Sequence, residues 1–178
     1  MNRGAELVSV HVRVARPQDA EAMATALLDA GQQRIERDGV VQNTTVLTGG
    51  DRPQLVARAE AAISENQDGS RTLLVAQVDG HVAGYAHVHW VPVLFLPGLE
   101  GYVTELFVAA ADRGRGCGSA LLERIEALAE ERNAARLFLV NGRQSTAYER
   151  EFYGKHGFTE AAHLAPFRRE LRDRTASG

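Results

Sequence analysis

The stretch Val108-Ala-Ala-Ala-Asp-Arg113-Gly114-Arg115-Gly116-Cys117-Gly118-Ser119-Ala120-Leu121-Leu122 decides how the rest of the chain is read. It follows a β-rich run, 101–108, and leads into an amphipathic helical pattern, 116–133, with Leu121, Leu122, Ile125, Leu128 and Ala129 on one side. Three alternating glycines let the backbone turn tightly and approach a ligand without Cβ clashes. The first turn of the helix adds N–H groups outside the helical ladder and a positive dipole end. With Arg113 and Arg115 beside them, these features make an anion site suited to phosphate. Glycines alone would equally suit a turn that only closes a strand–helix unit. A P-loop needs Lys after its last glycine, where this chain has Ser119, and the Rossmann fingerprint needs G-x-G-x-x-G, where Gly114, Gly116 and Gly118 give G-x-G-x-G.

Working outward, residues 8–15 alternate Val8, Val10, Val12 and Val14 with polar neighbours and read as a half-buried strand. Pro17-Gln-Asp opens a helical stretch over 20–30, and Pro53 a second to about residue 65, while 31–50 carries no clear pattern. The β-rich runs 72–78 and 81–90 are separated by Asp79-Gly80, a strong hairpin signal. Residues 136–140 read as a short strand, 145–156 as a helix, 157–163 as extended and 167–171 as a final edge strand. This order of elements is a mixed α/β sheet of about six to seven strands flanked by about four helices. It is expected to form one domain over 1–172, with a disordered tail at 173–178.

The 178 residues suffice for a single core, and 44% hydrophobic with 24% charged residues is ordinary for a globular chain. A formal charge of −3 gives no reason to expect nucleic acid or an anionic membrane as partner. The single cysteine, Cys117, excludes an intramolecular disulfide and a CxxC pair. The first nineteen residues carry no signal-peptide pattern, and no apolar run reaches bilayer length, so a cytoplasmic location is expected.

The segment Arg113-Gly-Arg-Gly116-Cys-Gly118 resembles the Arg/Gln-x-x-Gly-x-Gly/Ala signature of the GNAT acetyltransferase superfamily, and Thr-Glu105-Leu106-Phe107-Val108 is similar to that family's fourth strand. The resemblance extends from the Val12-Arg-Val-Ala-Arg-Pro-Gln-Asp-Ala opening to Gly157-Phe158. It implies a mostly antiparallel sheet splayed between strands four and five. In the family, backbone N–H groups of the loop hold the CoA pyrophosphate, which assigns Arg113, Gly114, Arg115, Gly116, Cys117, Gly118 and Ser119 to cofactor binding. Leu106, Phe107 and Val108 would pair with the pantetheine arm as with another strand. The implied activity is transfer of an acetyl group from acetyl-CoA, the cosubstrate, to a primary amine by direct attack in a ternary complex. The alternative is a non-catalytic CoA-binding or sensor module of the same fold.

Such a transfer needs a neutral amine, although free alkylamines have pKa values of roughly 10. It also needs a donor to the tetrahedral oxyanion and an acid for the departing thiolate. Tyr153, within a Tyr-x-x-x-Gly-Phe element ending at Gly157-Phe158, resembles the family tyrosine that lies near the acetyl-CoA sulfur, and a phenol suits that acid role. The resemblance makes Glu105 the base, through ordered water, and a backbone N–H of Phe107 or Val108 the oxyanion donor; a substrate-binding or solvated carboxylate is the other reading of Glu105. On simple strand alternation, Glu105 shares a face with Val103 and Phe107. His87 and His89 share a face with Tyr85 and are expected to line the acceptor pocket, serve as base, or sit as hydrogen-bonded histidines; with no third ligand at a suitable spacing, no metal is expected. Cys117 is read as an inert buried thiol. Thr146 stands where the family often has Asn, and Asn141 comes earlier, so either is a candidate CoA contact. The acceptor is a small-molecule or peptide amine. The apolar loop 93–96 is expected either to shape its pocket or to be buried in a homodimer interface.

Overall fold

A computed structural model describes residues 9–38, 50–65, 69–143, 145–167 and 169. They fall into two compact units, Met1–Leu139 and Val140–Gly178. The first begins with β1, His11–Val14, and a 3₁₀ turn, Pro17–Asp19, followed by helices α1, Ala20–Asp38, and α2, Arg52–Ser64. Strands β2, Arg71–Val78, β3, His81–Pro92, and β4, Leu99–Val108, come next. A second 3₁₀ turn, Ala110–Asp112, leads to α3, Cys117–Glu131, and β5, Ala134–Leu139. The second unit holds two one-turn helices, α4, Thr146–Glu149, and α5, Phe152–Lys155.

The five strands form one sheet in the order β1-β2-β3-β4-β5, antiparallel except for the parallel β4–β5 pair. The mixed α/β architecture is as the residue pattern implies, but the described residues hold five strands where about six to seven were expected. The strand read at 157–163 is absent: residues 158–161 carry no regular structure. The physical reason is weak β content, with Phe158 and Thr159 the strand formers in that run. The strand read at 167–171 lies largely outside the described residues. The 173–178 tail also lies outside the described residues. The single helix expected over 145–156 is two, broken at Glu151, whose φ of 52° leaves the helical region. That break brings the helix count among the described residues to five. Helix α1 runs through Gly31 to Asp38 instead of ending near residue 30.

At the Asp79-Gly80 hairpin both residues have positive φ, 49° and 82°, the conformation of a type I′ turn. The Arg-Pro-Gln-Asp opening is held by Arg13, whose Nη1 and Nη2 donate to the two oxygens of buried Asp19 at 2.7 and 2.8 Å. Asp19 Oδ2 also accepts from Arg16 N–H at 2.7 Å, which fixes the entry to α1. One sheet face is covered by α1 and α2 around Met23, Ala26, Leu73, Val75 and Tyr85. Leu121, Leu122 and Ile125 of α3 are fully buried, as the helical pattern required.

β3 pairs with β4 from Gly84 to Pro92, but Val88 lies opposite Val103 while His87 lies opposite Glu105. Thr104 is therefore an extra residue in β4, a β-bulge, with its hydroxyl donating to His87 O at 3.2 Å. Val103 is buried opposite Val88, and Glu105 lies on the other face with Phe107. This corrects the simple alternation that put Glu105 and Val103 together: one inserted residue inverts the parity of everything beyond it.

Candidate active site

The β4–β5 ladder ends beside the bulge. β5 pairs with Leu99, Glu100, Gly101, Tyr102 and Val103, the last opposite Leu139, where β5 itself ends. Beyond it Glu105, Leu106, Phe107 and Val108 pair with β3, and no strand among the described residues pairs with them on the other side. That side of β4 is an edge of N–H and C=O groups suited to an extended ligand.

The glycine loop follows directly from that edge. Ala110 N–H donates to Asp29 Oδ2 of α1 at 2.8 Å, and Arg113 Nε donates back to Val108 O at 3.1 Å, so the loop leaves the strand at a fixed angle. Gly114 and Gly116 have φ of 78° and 86°, and Gly116 is the N-cap of α3. A Cβ at Gly114 would meet nothing within 4 Å, and one at Gly116 only Val10 Cγ2 at 4.0 Å. Glycine is therefore required there by backbone conformation, and the space over the loop is open. The first bond of α3 runs from Ala120 N–H to Gly116 O at 3.0 Å, so the amides ahead of it lie outside the helical ladder. Cys117 is 1% exposed, and burial pushes its thiol above its ordinary pKa, which makes it inert packing. Arg115 makes ion pairs with Asp112 and Asp79, and Asp112 also meets His81.

The face bearing Glu105 carries the polar groups. The Tyr85 hydroxyl donates to Glu105 Oε2 at 2.7 Å. Tyr85 is 2% exposed, and burial, reinforced by the carboxylate, holds its phenol well above the ordinary value. His87 and His89 stack with ring centroids 4.4 Å apart. Burial, with lesser effects from His89 and Arg71, lowers the His87 pKa to about 4, so its imidazole is neutral at pH 7. Its Nε2 is buried without a hydrogen-bond partner. The part played by Tyr85 was not legible in the sequence, because Glu105 meets it across strands, 20 residues away. Among the described residues no group of three or more His, Cys, Asp or Glu is placed to hold a metal.

In the second unit, Tyr153 is half-buried, with its ring against Phe152 at 5.1 Å and Phe158 at 5.9 Å. Burial raises its phenol pKa, so it carries its proton at neutral pH. Asn141 Oδ1 accepts from Ser145 Oγ at 2.9 Å, its Nδ2 is buried without a partner, and Thr146 opens α4. Arg143 is paired with Glu160, which also accepts from Tyr148. In the first unit, loop 93–96 exposes Leu94 and Phe95. It precedes β4 whereas the glycine loop follows it, so about 30 Å of strand separates the two.

Among the described residues, no helix is long and apolar enough to cross a membrane. The family model for the acetyltransferase (GNAT) family matches residues 46–158. No curated protein matches the chain significantly. Among solved structures, a transcriptional regulator from Bacillus halodurans C-125 is 25% identical with a TM-score of 0.71, covering 91% of this chain and 100% of that one. An aminoglycoside acetyltransferase, HMB0005, from an uncultured soil metagenomic sample is 23% identical with a TM-score of 0.66, over 92% of this chain and 99% of that one. A predicted acetyltransferase from Clostridium acetobutylicum, solved with acetyl-CoA, is 18% identical with a TM-score of 0.60, over 90% of this chain and 96% of that one. With the family model spanning β4, the glycine loop and the Tyr153 segment, the chain belongs to the GNAT acetyltransferase family.

Proposed function

We propose that this protein is an N-acetyltransferase that transfers the acetyl group of acetyl-CoA to a primary amine by direct attack in a ternary complex. The observation that carries the reading is the edge at Glu105, Leu106, Phe107 and Val108, unpaired by any strand among the described residues, running straight into the glycine loop. The residues present fit acetyl-CoA: open space over Gly114 and Gly116 lets a pyrophosphate approach the backbone of residues 113–119, and the edge offers strand-like pairing to an amide-bearing arm. When bound, acetyl-CoA supplies an activated acyl group. Glu105 takes the amine proton, directly or through water, and the Tyr85 hydroxyl fixes the carboxylate's orientation. His87 Nε2 is buried, whereas the Glu105 carboxylate is oriented by a hydroxyl donor, which favours Glu105. Tyr153, protonated at neutral pH, gives its proton to the departing thiolate.

The family model runs through both compact units, which supports reading 1–172 as one domain. A cytoplasmic location belongs to the same reading. The second reading, a CoA-binding sensor without turnover, draws on the likeness to the Bacillus halodurans protein described as a transcriptional regulator. Calorimetric titration with acetyl-CoA, followed by an amine-library screen, tests both. Binding with turnover that Tyr153→Phe and Glu105→Gln reduce supports the enzyme. Binding without turnover of any amine supports the sensor, and no binding by folded protein at up to about a millimolar sinks both.

A further inference from the structure

Arg115 sits in the signature, between Gly114 and Gly116, where a phosphate contact is the natural expectation. Its guanidinium is already occupied. Nη1 donates to Asp112 Oδ1 at 2.9 Å and Nη2 to Asp79 Oδ2. Asp112 is buried, and its other oxygen meets His81 Nε2 at 3.0 Å. Asp79 and His81 flank Gly80 in the type I′ turn between β2 and β3. The four side chains therefore close a ring that joins the hairpin turn to the glycine loop.

We infer that Arg115 is a positioning residue rather than a phosphate ligand, bracing the glycine loop against the β2–β3 turn so that the loop amides keep the geometry a pyrophosphate needs. The inference rests on the acetyl-CoA reading above. Two arguments carry it. One guanidinium faces two carboxylates, so this cluster offers an incoming anion no net positive charge. Swinging Arg115 onto a phosphate would also strip a charged partner from Asp112, a carboxylate out of water. Burial would raise the Asp112 pKa, yet the bonds from His81 and Arg115 hold it below the ordinary range, as expected of a carboxylate that depends on these partners. Attraction for the pyrophosphate then comes from backbone amides and the α3 terminus, which need a rigid loop.

The sign of one variant's effect decides the matter. Asp79→Asn keeps a residue that tolerates positive φ and an Asn-Gly turn, and removes only the charge that anchors Arg115. A brace predicts weaker acetyl-CoA binding by about threefold to tenfold in calorimetry. It also predicts that Arg115→Gln is as weak or weaker, and that the double variant is no weaker than Arg115→Gln alone. Hydrogen exchange on the unliganded protein should show faster exchange over 79–81 and 113–118 in both single variants. Unchanged or tighter binding by Asp79→Asn, with Arg115→Gln alone losing affinity and flattening the salt dependence, would make Arg115 a phosphate ligand and overturn the proposal. Unaltered exchange at the loop would overturn it as well. Failure of the wild type to bind acetyl-CoA would instead count against the enzyme reading, while the exchange measurement still reads the brace.

Discussion

The hydroxyl of Tyr85 and the carboxylate of Glu105 meet at 2.7 Å across β3 and β4, and they meet because Thr104 is bulged out of register between Glu105 and Val103. Were Thr104 paired in regular register instead, alternation would carry Glu105 to the face packed by Val88 and Val103. Tyr85→Phe leaves the ring packed and removes the donor. Expected is a loss of about 1–2 kcal/mol in urea stability, together with a kcat reduction of about tenfold and little change in acetyl-CoA affinity. Calorimetry and steady-state kinetics with an identified amine check this.

Deleting Thr104 should separate stability from binding. The deletion leaves Val103 and Glu105 consecutive, matching Val88 and His87 on β3, so regular pairing is restored. The melting temperature is expected to stay within about 5 °C of wild type. Loss of the bulge removes the local bend it puts into β4, and acetyl-CoA affinity should fall by at least about tenfold. A variant that binds normally would detach the bulge from ligand binding.

Gly116→Ala tests backbone conformation without steric clash, since its Cβ would approach only Val10 Cγ2 at 4.0 Å. A positive φ of 86° costs an L-residue about 1–2 kcal/mol. Denaturant unfolding should show that loss. Gly101→Ala should cost more, because a Cβ there would lie 2.6 Å from Leu137 Cδ2 and 2.7 Å from Trp90 Cζ3.

His87 gives the protein an acid limb. Its pKa is about 4 in the fold against about 6.5 when unfolded, so between these values the unfolded chain binds the extra proton. The stability this represents is fully present above pH 6.5 and is lost as pH falls toward 4. The loss is on the order of 2–3 kcal/mol. In His87→Gln the urea midpoint should fall less steeply across this window, and a parallel decline in both proteins would remove His87 as the cause.

Arg13→Leu breaks a two-bond pair to a carboxylate that is 4% exposed. Leaving Asp19 buried and unpaired should cost about 3–5 kcal/mol. With its carboxyl held below the ordinary range, chiefly by the Arg13 hydrogen bonds, Asp19 supports the fold above its unfolded pKa and ceases to do so as pH falls through the lower folded value. Thermal melts of Arg13→Leu and wild type from pH 7 to 3 should converge at the acid end.

Much of this protein is local and therefore written in its sequence. Asp79-Gly80 dictates a type I′ hairpin because both positions need positive φ, and Leu121, Leu122 and Ile125 mark the buried face of α3 because helical spacing aligns them. The glycines at 114 and 116 likewise announce a backbone that other residues adopt only under strain. Tertiary structure alone decided the rest. A bulge is a mismatch between two strands, so nothing near Thr104 reveals that Glu105 turns toward Tyr85 or that the β5 ladder stops at Val103. One partner of Arg115, Asp79, lies on a turn 36 residues away, and only the folded sheet brings these opposite charges together. The break at Glu151 and the absence of a strand at 158–161 fall where intrinsic preference is weak, so the local sequence does not fix the conformation.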